Sequence, residues 1–304
     1  MMICCGTSII IDMMKQVFLV ILLAFGFVVG AQNKIVKKPK KQKPATTQVA
    51  PKKHKSQSKP TKGGTVKCVA TKASYSNGTL TVNGIKYNMV WVDGGTFRMG
   101  ATSEQGSEIS DEKPVHSVTL SGYYIGKTEV TQALWQAVMG SNPSYFEGDD
   151  LPVEQVSWDD CQEFIRKLNS LTGQNFRLPT EAEWEFACRG GNNSRGYKYS
   201  GSNYIDNVAW YDGNSGDKTH PVATKSPNEL GIYDMSGNVW EWCADWYGDY
   251  SSGRQTNPKG PYDGSFRVNR GGCWFNYARN CRSSIRCDDY PTYRDDILGL
   301  RLAL

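Results

Sequence analysis

No segment restricts the architecture of this chain as much as Gly231-Ile-Tyr-Asp-Met-Ser-Gly-Asn-Val-Trp-Glu-Trp-Cys-Ala-Asp-Trp246. It packs three Trp, three carboxylates and two Gly into sixteen residues. Asp234-Met-Ser-Gly-Asn238 predicts a tight turn, because Asp, Ser, Gly and Asn each supply turn chemistry. Val239-Trp-Glu-Trp242 alternates only loosely, which predicts a short buried strand rather than a helix. Asp234 and Glu241 flank a turn whose carbonyls can point inward, and calcium takes about six to eight hard oxygens of that kind. Ordinary packing around a satisfied loop is the other reading of the same residues.

Charge divides the chain into unlike parts. The net charge is +5, yet Lys34 to Lys67 alone holds twelve Lys and no Asp, Glu or Arg. Residues 1–33 carry one Asp and one Lys, so residues 68–304 carry −7 once the twelve lysines are taken from the total. The basic segment, residues 32–67 with its flanks, is Lys, Pro, Thr, Gln and Ser with almost nothing to bury, and is expected to be a disordered linker. It suits a solvated spacer or attachment to an anionic surface. No aromatics interleave its lysines, which argues against specific nucleic-acid binding.

Residues 1–31 predict a secretory signal: Lys15 as the positive region, Val17 to Val29 as the apolar region, and cleavage after Ala31. The apolar run is too short for a comfortable membrane span, so none is expected after cleavage. Translation is expected to start at Met13 or Met14, leaving Cys4 and Cys5 untranslated. The exported product is expected in a periplasm or at the cell surface.

Structure is expected from about Val66, in a globular part spanning residues 68–304. Thr79-Leu-Thr-Val82, Asn83-Gly84 and Ile85-Lys-Tyr87 predict a hairpin with a type I′ turn. Met89 to Val92 continues apolar until Gly94-Gly95, and Val115 to Leu120 and Tyr123 to Ile125 predict further strands. Three helices are expected. Thr128 or Thr131 caps one that ends near Gly140, while Ser157 with Asp160 and Thr180 with Glu183 form capping boxes for the others. Asn192 to Asn228 predicts ordered irregular loops, pinned by something such as a metal.

Gly237-Asn-Val-Trp-Glu-Trp242 resembles the most recognisable motif of the formylglycine-generating enzyme family, the sulfatase-modifying factors. Further matches follow in the family's order. They are Gly94-Gly-Thr-Phe-Arg-Met-Gly100, Lys127-Thr-Glu-Val-Thr131, Pro152-Val-Glu-Gln-Val-Ser-Trp158, Arg177-Leu-Pro-Thr-Glu-Ala-Glu-Trp-Glu185 and Arg270-Gly-Gly-Cys273. The resemblance runs from about Met89 to the C-terminus. It implies an α+β, loop-rich single domain, related to C-type lectin-like folds, with Trp240 and Trp242 in or beside the core. It also implies a calcium site at the Asp234 and Glu241 side chains and the Gly237 and Val239 carbonyls. A second would begin at Asn207 and the Val208 carbonyl, with Asp212 or Asp217 standing in where the loop is shorter. Trp240 and Cys273 would lie at the substrate groove. Cys188 with Cys287, one residue off register, is the expected disulfide.

Cysteine decides between activities. Family enzymes oxidise a sulfatase cysteine to formylglycine, using oxygen and copper(I) held by two thiolates. Those thiolates should fall at 276 and 281, but position 276 is Asn while Cys281 is present. Soft thiolates suit copper(I) and amide oxygens do not. Cys273 and Cys287 lie at the wrong spacing to replace the missing one. The three His, at 54, 116 and 220, show no H-E-x-x-H spacing, and there is no G-x-S-x-G or P-loop. Arg270, Arg279, Arg282, Arg286 and Arg301 crowd beside Asp288, Asp289, Asp295 and Asp296, which predicts a structural ion-pair network. The sequence thus favours an exported, calcium-braced binding or scaffold domain whose partner is a protein or glycan of the cell envelope. The alternative is a copper-dependent formylglycine-generating oxidase acting on a sulfatase, with Cys281 as its catalytic thiol.

Overall fold

A computed structural model describes residues 71–106 and 110–304. The signal segment, the Lys-rich linker and Cys68 lie outside the described residues. The first sheet has the order β1-β2-β3-β6, from Ala73–Ser76, Thr79–Val82, Ile85–Val92 and Tyr123–Gly126. Its β2–β3 hairpin turns at Asn83 and Gly84, both at positive φ (49° and 88°), as a type I′ turn requires. Gly95–Met99 (β4) and His116–Leu120 (β5) pair antiparallel, and Gln255–Thr256 (β8) joins β5 in parallel.

The remaining sheet carries the tryptophan strand. Trp240–Trp246 (β7) lies between Arg267–Arg270 (β9) and Leu298–Leu300 (β11), with Arg286–Asp289 (β10) outside β9. Glu241 stands opposite Arg270 on β9 and opposite Gly299 on β11. A central strand covered on both faces explains why β7 is buried almost continuously rather than alternately.

Three helices close the core among the described residues. Gln132–Met139 (α1) starts at Thr131, whose hydroxyl accepts from the Leu134 N–H, and stops at Gly140 in the left-handed region. Trp158–Thr172 (α2) and Glu181–Cys188 (α3) open with complete capping boxes at Ser157/Asp160 and Thr180/Glu183. Cys161, Phe164, Ile165 and Leu168 form the buried stripe of α2, and Phe164 stacks on Trp135 of α1 at 4.8 Å. Trp240 and Trp242 join this core, while Trp184 of α3 anchors a second cluster with Val118, Leu120 and Phe186. Asn192 to Asn228 is irregular apart from two short 3-10 turns and a bridge between Tyr199 and Ser202.

Candidate functional site

The turn before β7 is built from backbone that few residues accept. Asp234, Gly237 and Asn238 all have positive φ, and a Cβ on Gly237 would collide with the Trp210 carbonyl. The turn sets three buried carboxylates around one guanidinium. Arg301 holds Glu241 bidentately at 2.7 and 2.9 Å, and the Trp184 indole N–H donates to the same carboxylate at 2.7 Å. Asp234 accepts from the Ala223 N–H at 2.7 Å. Glu129, from the stretch between β6 and α1, accepts from the Asn238 amide and the Val239 N–H at 2.8 and 3.2 Å. Burial, with Asp234 and Glu241 nearby, pushes the Glu129 carboxyl well above the usual range. Burial lifts Asp234 to about 6, with Glu241 adding to the shift.

At the expected calcium set, both Glu241 oxygens accept hydrogen bonds from Arg301 and Trp184. Glu129, which the sequence reading missed, is a further buried carboxylate beside Asp234 and Glu241. Its signal was the Glu in Lys127-Thr-Glu-Val-Thr131. No three carboxylate, His or Cys side chains meet as a metal cluster among the described residues.

At the expected second set, Asn207, Asp212 and Asp217 are exposed. Asn214 braces this loop instead: its amide donates to the Ala209 carbonyl at 3.0 Å and to Asp206 at 3.3 Å, and its oxygen accepts from the Tyr211 N–H at 3.0 Å. A carboxamide that both donates and accepts can close a loop without a cation.

Position 276 is locked. The Asn276 side-chain oxygen accepts from the Cys273 backbone N–H at 3.1 Å and from the Cys273 thiol at 3.2 Å. Asn276 closes its own turn by donating its N–H to the Cys273 carbonyl at 3.0 Å. Cys281 is fully buried between Tyr199 and Val208, its sulfur against Gly272, and burial pushes its thiol up to about 12. The Cys273 thiol is raised too, by burial. At position 276 an amide stands where the resemblance implies a thiolate, and amide oxygens suit copper(I) poorly.

Two further expectations are corrected. Trp240 and Cys273 do not line a groove; both are in the core, because β7 is central and Cys273 follows buried β9. Cys188 is a free thiol facing the Met235 carbonyl at 3.5 Å, so the Cys188–Cys287 bridge is not made.

The arginine network is present, with different partners. Arg282 pairs with Glu112, Arg286 with Glu181, Arg301 with Glu241 and Arg270 with Glu185, all buried. These acids come from distant elements rather than from the neighbouring aspartates.

The segment those arginines hold, with the loop before β-bridge Pro152, presents an aromatic and acidic face. Tyr145, Phe146, Trp274 and Phe275 form a chain of edge-to-face rings 4.9 to 5.5 Å apart. Tyr145, Phe275 and the adjacent Tyr277 are 69%, 45% and 55% exposed, which sets them apart from packing residues. Glu154 sits behind the rings, accepting from the Tyr145 and Phe146 N–H groups at 3.0 and 2.8 Å. Burial, with Asp296 and Asp295 nearby, pushes Glu154 up to about 7, and burial together with Asp295 pushes Asp296 up to about 6. The Trp274 indole N–H fixes the aspartate loop by donating to the Asp296 carbonyl at 3.1 Å.

A loop-rich α+β domain with these sheets, and a tryptophan strand pinned by a buried Arg–Glu pair, is of the formylglycine-generating-enzyme type. Residues 80–304 match the family described as sulfatase-modifying factor enzyme 1-like domain, and the chain belongs to that family. It is 37% identical over 252 residues to a chaperone protein LppX of Paenibacillus barcinonensis, covering 66% of this chain and 82% of that protein. It is 30% identical over 285 residues to the formylglycine-generating enzyme of Mus musculus, covering 71% of this chain and 74% of that one. The solved structure of Treponema denticola variable protein 1 aligns with a TM-score of 0.67 at 37% identity, over 74% of this chain and 97% of that one.

Proposed function

We propose that this chain is a non-oxidase member of the family, an exported binding domain of the cell envelope that engages a protein through its aromatic and acidic face. One observation carries the reading: the second copper position is Asn276, whose oxygen is already bonded by the Cys273 N–H and thiol. The scaffold motifs are kept because they build the buried ion pairs, and a fold retained for packing does not carry an activity with it. Two of the similar proteins bear names other than that of an oxidase, a chaperone and a variable protein. Rigid Tyr, Phe and Trp side chains beside Asp and Asn are also how binding loops gain contact area at small entropic cost.

Calcium belongs to the proposal at the turn before β7, on the Asp234 and Glu241 side chains and the Gly237 and Val239 carbonyls, with the Glu129 carboxylate beside them. The support is charge: three buried carboxylates share one arginine, and a divalent cation would restore the balance. When bound it would brace the turn.

The test is direct. The purified protein is given copper(I), oxygen and a Cys-x-Pro-x-Arg peptide, and the products are read by mass spectrometry. The peptide cysteine should remain unchanged. Aldehyde formation that disappears in Cys281→Ala would establish the oxidase reading instead.

A further inference from the structure

A cavity of about 510 Å3 opens beside the end of β7, walled by Glu181 at the start of α3, His116 of β5, Arg286 of β10 and the loops at 248–251 and 258–261. Its volume falls among those of small-molecule sites, about 300–1,000 Å3. None of its lining residues belongs to the aromatic and acidic face. Asp245 of β7 lines it and is 4% exposed. The Asp245 Oδ2 accepts from the Glu181 N–H at 2.9 Å, while no hydrogen bond among the described residues reaches its Oδ1. The charges around Asp245 are engaged elsewhere. Glu181 holds Arg286 at 2.7 and 2.8 Å, Glu183 holds Arg177, and Arg267 lies against the Trp158 and Trp246 rings. Lys259 and Asp249 are exposed on the rim, and neither forms an ion pair among the described residues.

His116 adds a second acceptor to the wall. Its Nδ1 lies 3.1 Å from the Pro114 carbonyl, which can only accept, so Nδ1 carries the proton and the neutral ring keeps a lone pair at Nε2. No hydrogen bond among the described residues reaches that Nε2 either, although His116 is 2% exposed. A buried carboxylate oxygen and a ring nitrogen, both open on one cavity, suit a ligand that donates N–H groups and carries positive charge. No three His, Cys, Asp or Glu side chains are grouped to hold a metal ion among the described residues, which favours an organic cation. We propose that this cavity binds a small primary amine, its ammonium group donating to the Asp245 Oδ1 and its alkyl part lying against Met99, Trp246 and Pro261. This site is independent of the binding-domain reading.

The experiment titrates the full chain with n-butylammonium, n-butanol and tetramethylammonium in an amine-free buffer, followed by saturation-transfer NMR. It is run at pH 8.5, because burial, aided by Glu181, holds Asp245 up at about 8, while an alkylamine is still protonated there. Butylammonium should bind, and the alcohol, without charge, and the quaternary ion, without N–H donors, should each bind at least tenfold more weakly. Asp245→Asn keeps the shape and the acceptor for the Glu181 N–H, and should weaken butylammonium at least tenfold. Lys259→Ala, at an exposed position, removes a like charge from the rim and should tighten it. Asp263→Asn, exposed and outside the cavity lining, should leave it unchanged. Equal binding of the three probes, or wild-type affinity in Asp245→Asn, would overturn the assignment. So would absence of butylammonium binding, as when a lysine of residues 34–67 already held the site. None of these outcomes bears on aldehyde formation, so this inference can fail without the binding-domain reading failing.

Discussion

Arg301 and Glu241 show how much of this fold hangs on single buried charges. Both are fully buried and bidentate, and removing one leaves the other as an unpaired charge in a low-dielectric core. Such a loss costs about 3–5 kcal/mol. Arg301→Met should therefore lower the urea midpoint steeply, while Arg301→Met with Glu241→Gln should recover part of the loss. An additive double variant would show that the pair does not act as a unit. Asn276 matters in the opposite sense. Its side chain holds a turn, and its chemistry was legible in the sequence as an amide at a thiolate position. Its actual partner, the Cys273 thiol, was not legible, because a three-residue spacing does not say which way either side chain faces.

At the scale of elements, the caps and turns were legible because they are local. Ser157/Asp160, Thr180/Glu183 and Asn83-Gly84 state their geometry within four residues, and each forms as expected. Thr180 is the most consequential, because α3 carries Glu181, Trp184 and Glu185 into the ion-pair core. Thr180→Ala should cost about 1 kcal/mol in chemical denaturation. A loss well above that would mean the cap also holds the arginine partners in place. The partners of the C-terminal arginines were not legible. Arg282 meets Glu112 and Arg270 meets Glu185 only because strands and helices far apart in the chain come together, and no local spacing encodes that. The pairing of Glu241 was hidden for the same reason: its partner Arg301 lies sixty residues on.

For the molecule as a whole, the buried acids set a pH dependence. Burial, aided by Glu181, holds Asp245 up at about 8; burial, aided by Asp288 and Asp295, holds Asp289 at about 7; burial, with Glu241, holds Asp234 at about 6. In the unfolded chain these groups return to the ordinary 3.8. The folded state thus binds more protons than the unfolded one between roughly pH 4 and 8, and stability falls as pH rises through that window. The Tm should be higher at pH 5.5 than at pH 8, and Asp245→Asn should flatten the slope. A Tm independent of pH would contradict the burial of these groups as acids. Millimolar calcium should raise the Tm more at pH 7.5 than at pH 5.5, because Asp234 must lose its proton to bind. Asp234→Asn should abolish that gain, and a calcium effect surviving in the variant would place the ion elsewhere.

The account stands on the claim that the family's soft-metal site is broken at one position. Competition titration of copper(I) against a chromophoric chelator measures this in the wild-type chain and in Asn276→Cys. Weak wild-type binding, with a gain of at least a hundredfold when the second thiol is restored five residues before Cys281, is the expected result. Wild-type affinity equal to that of Asn276→Cys, lost in Cys281→Ala, would show that the site was never broken.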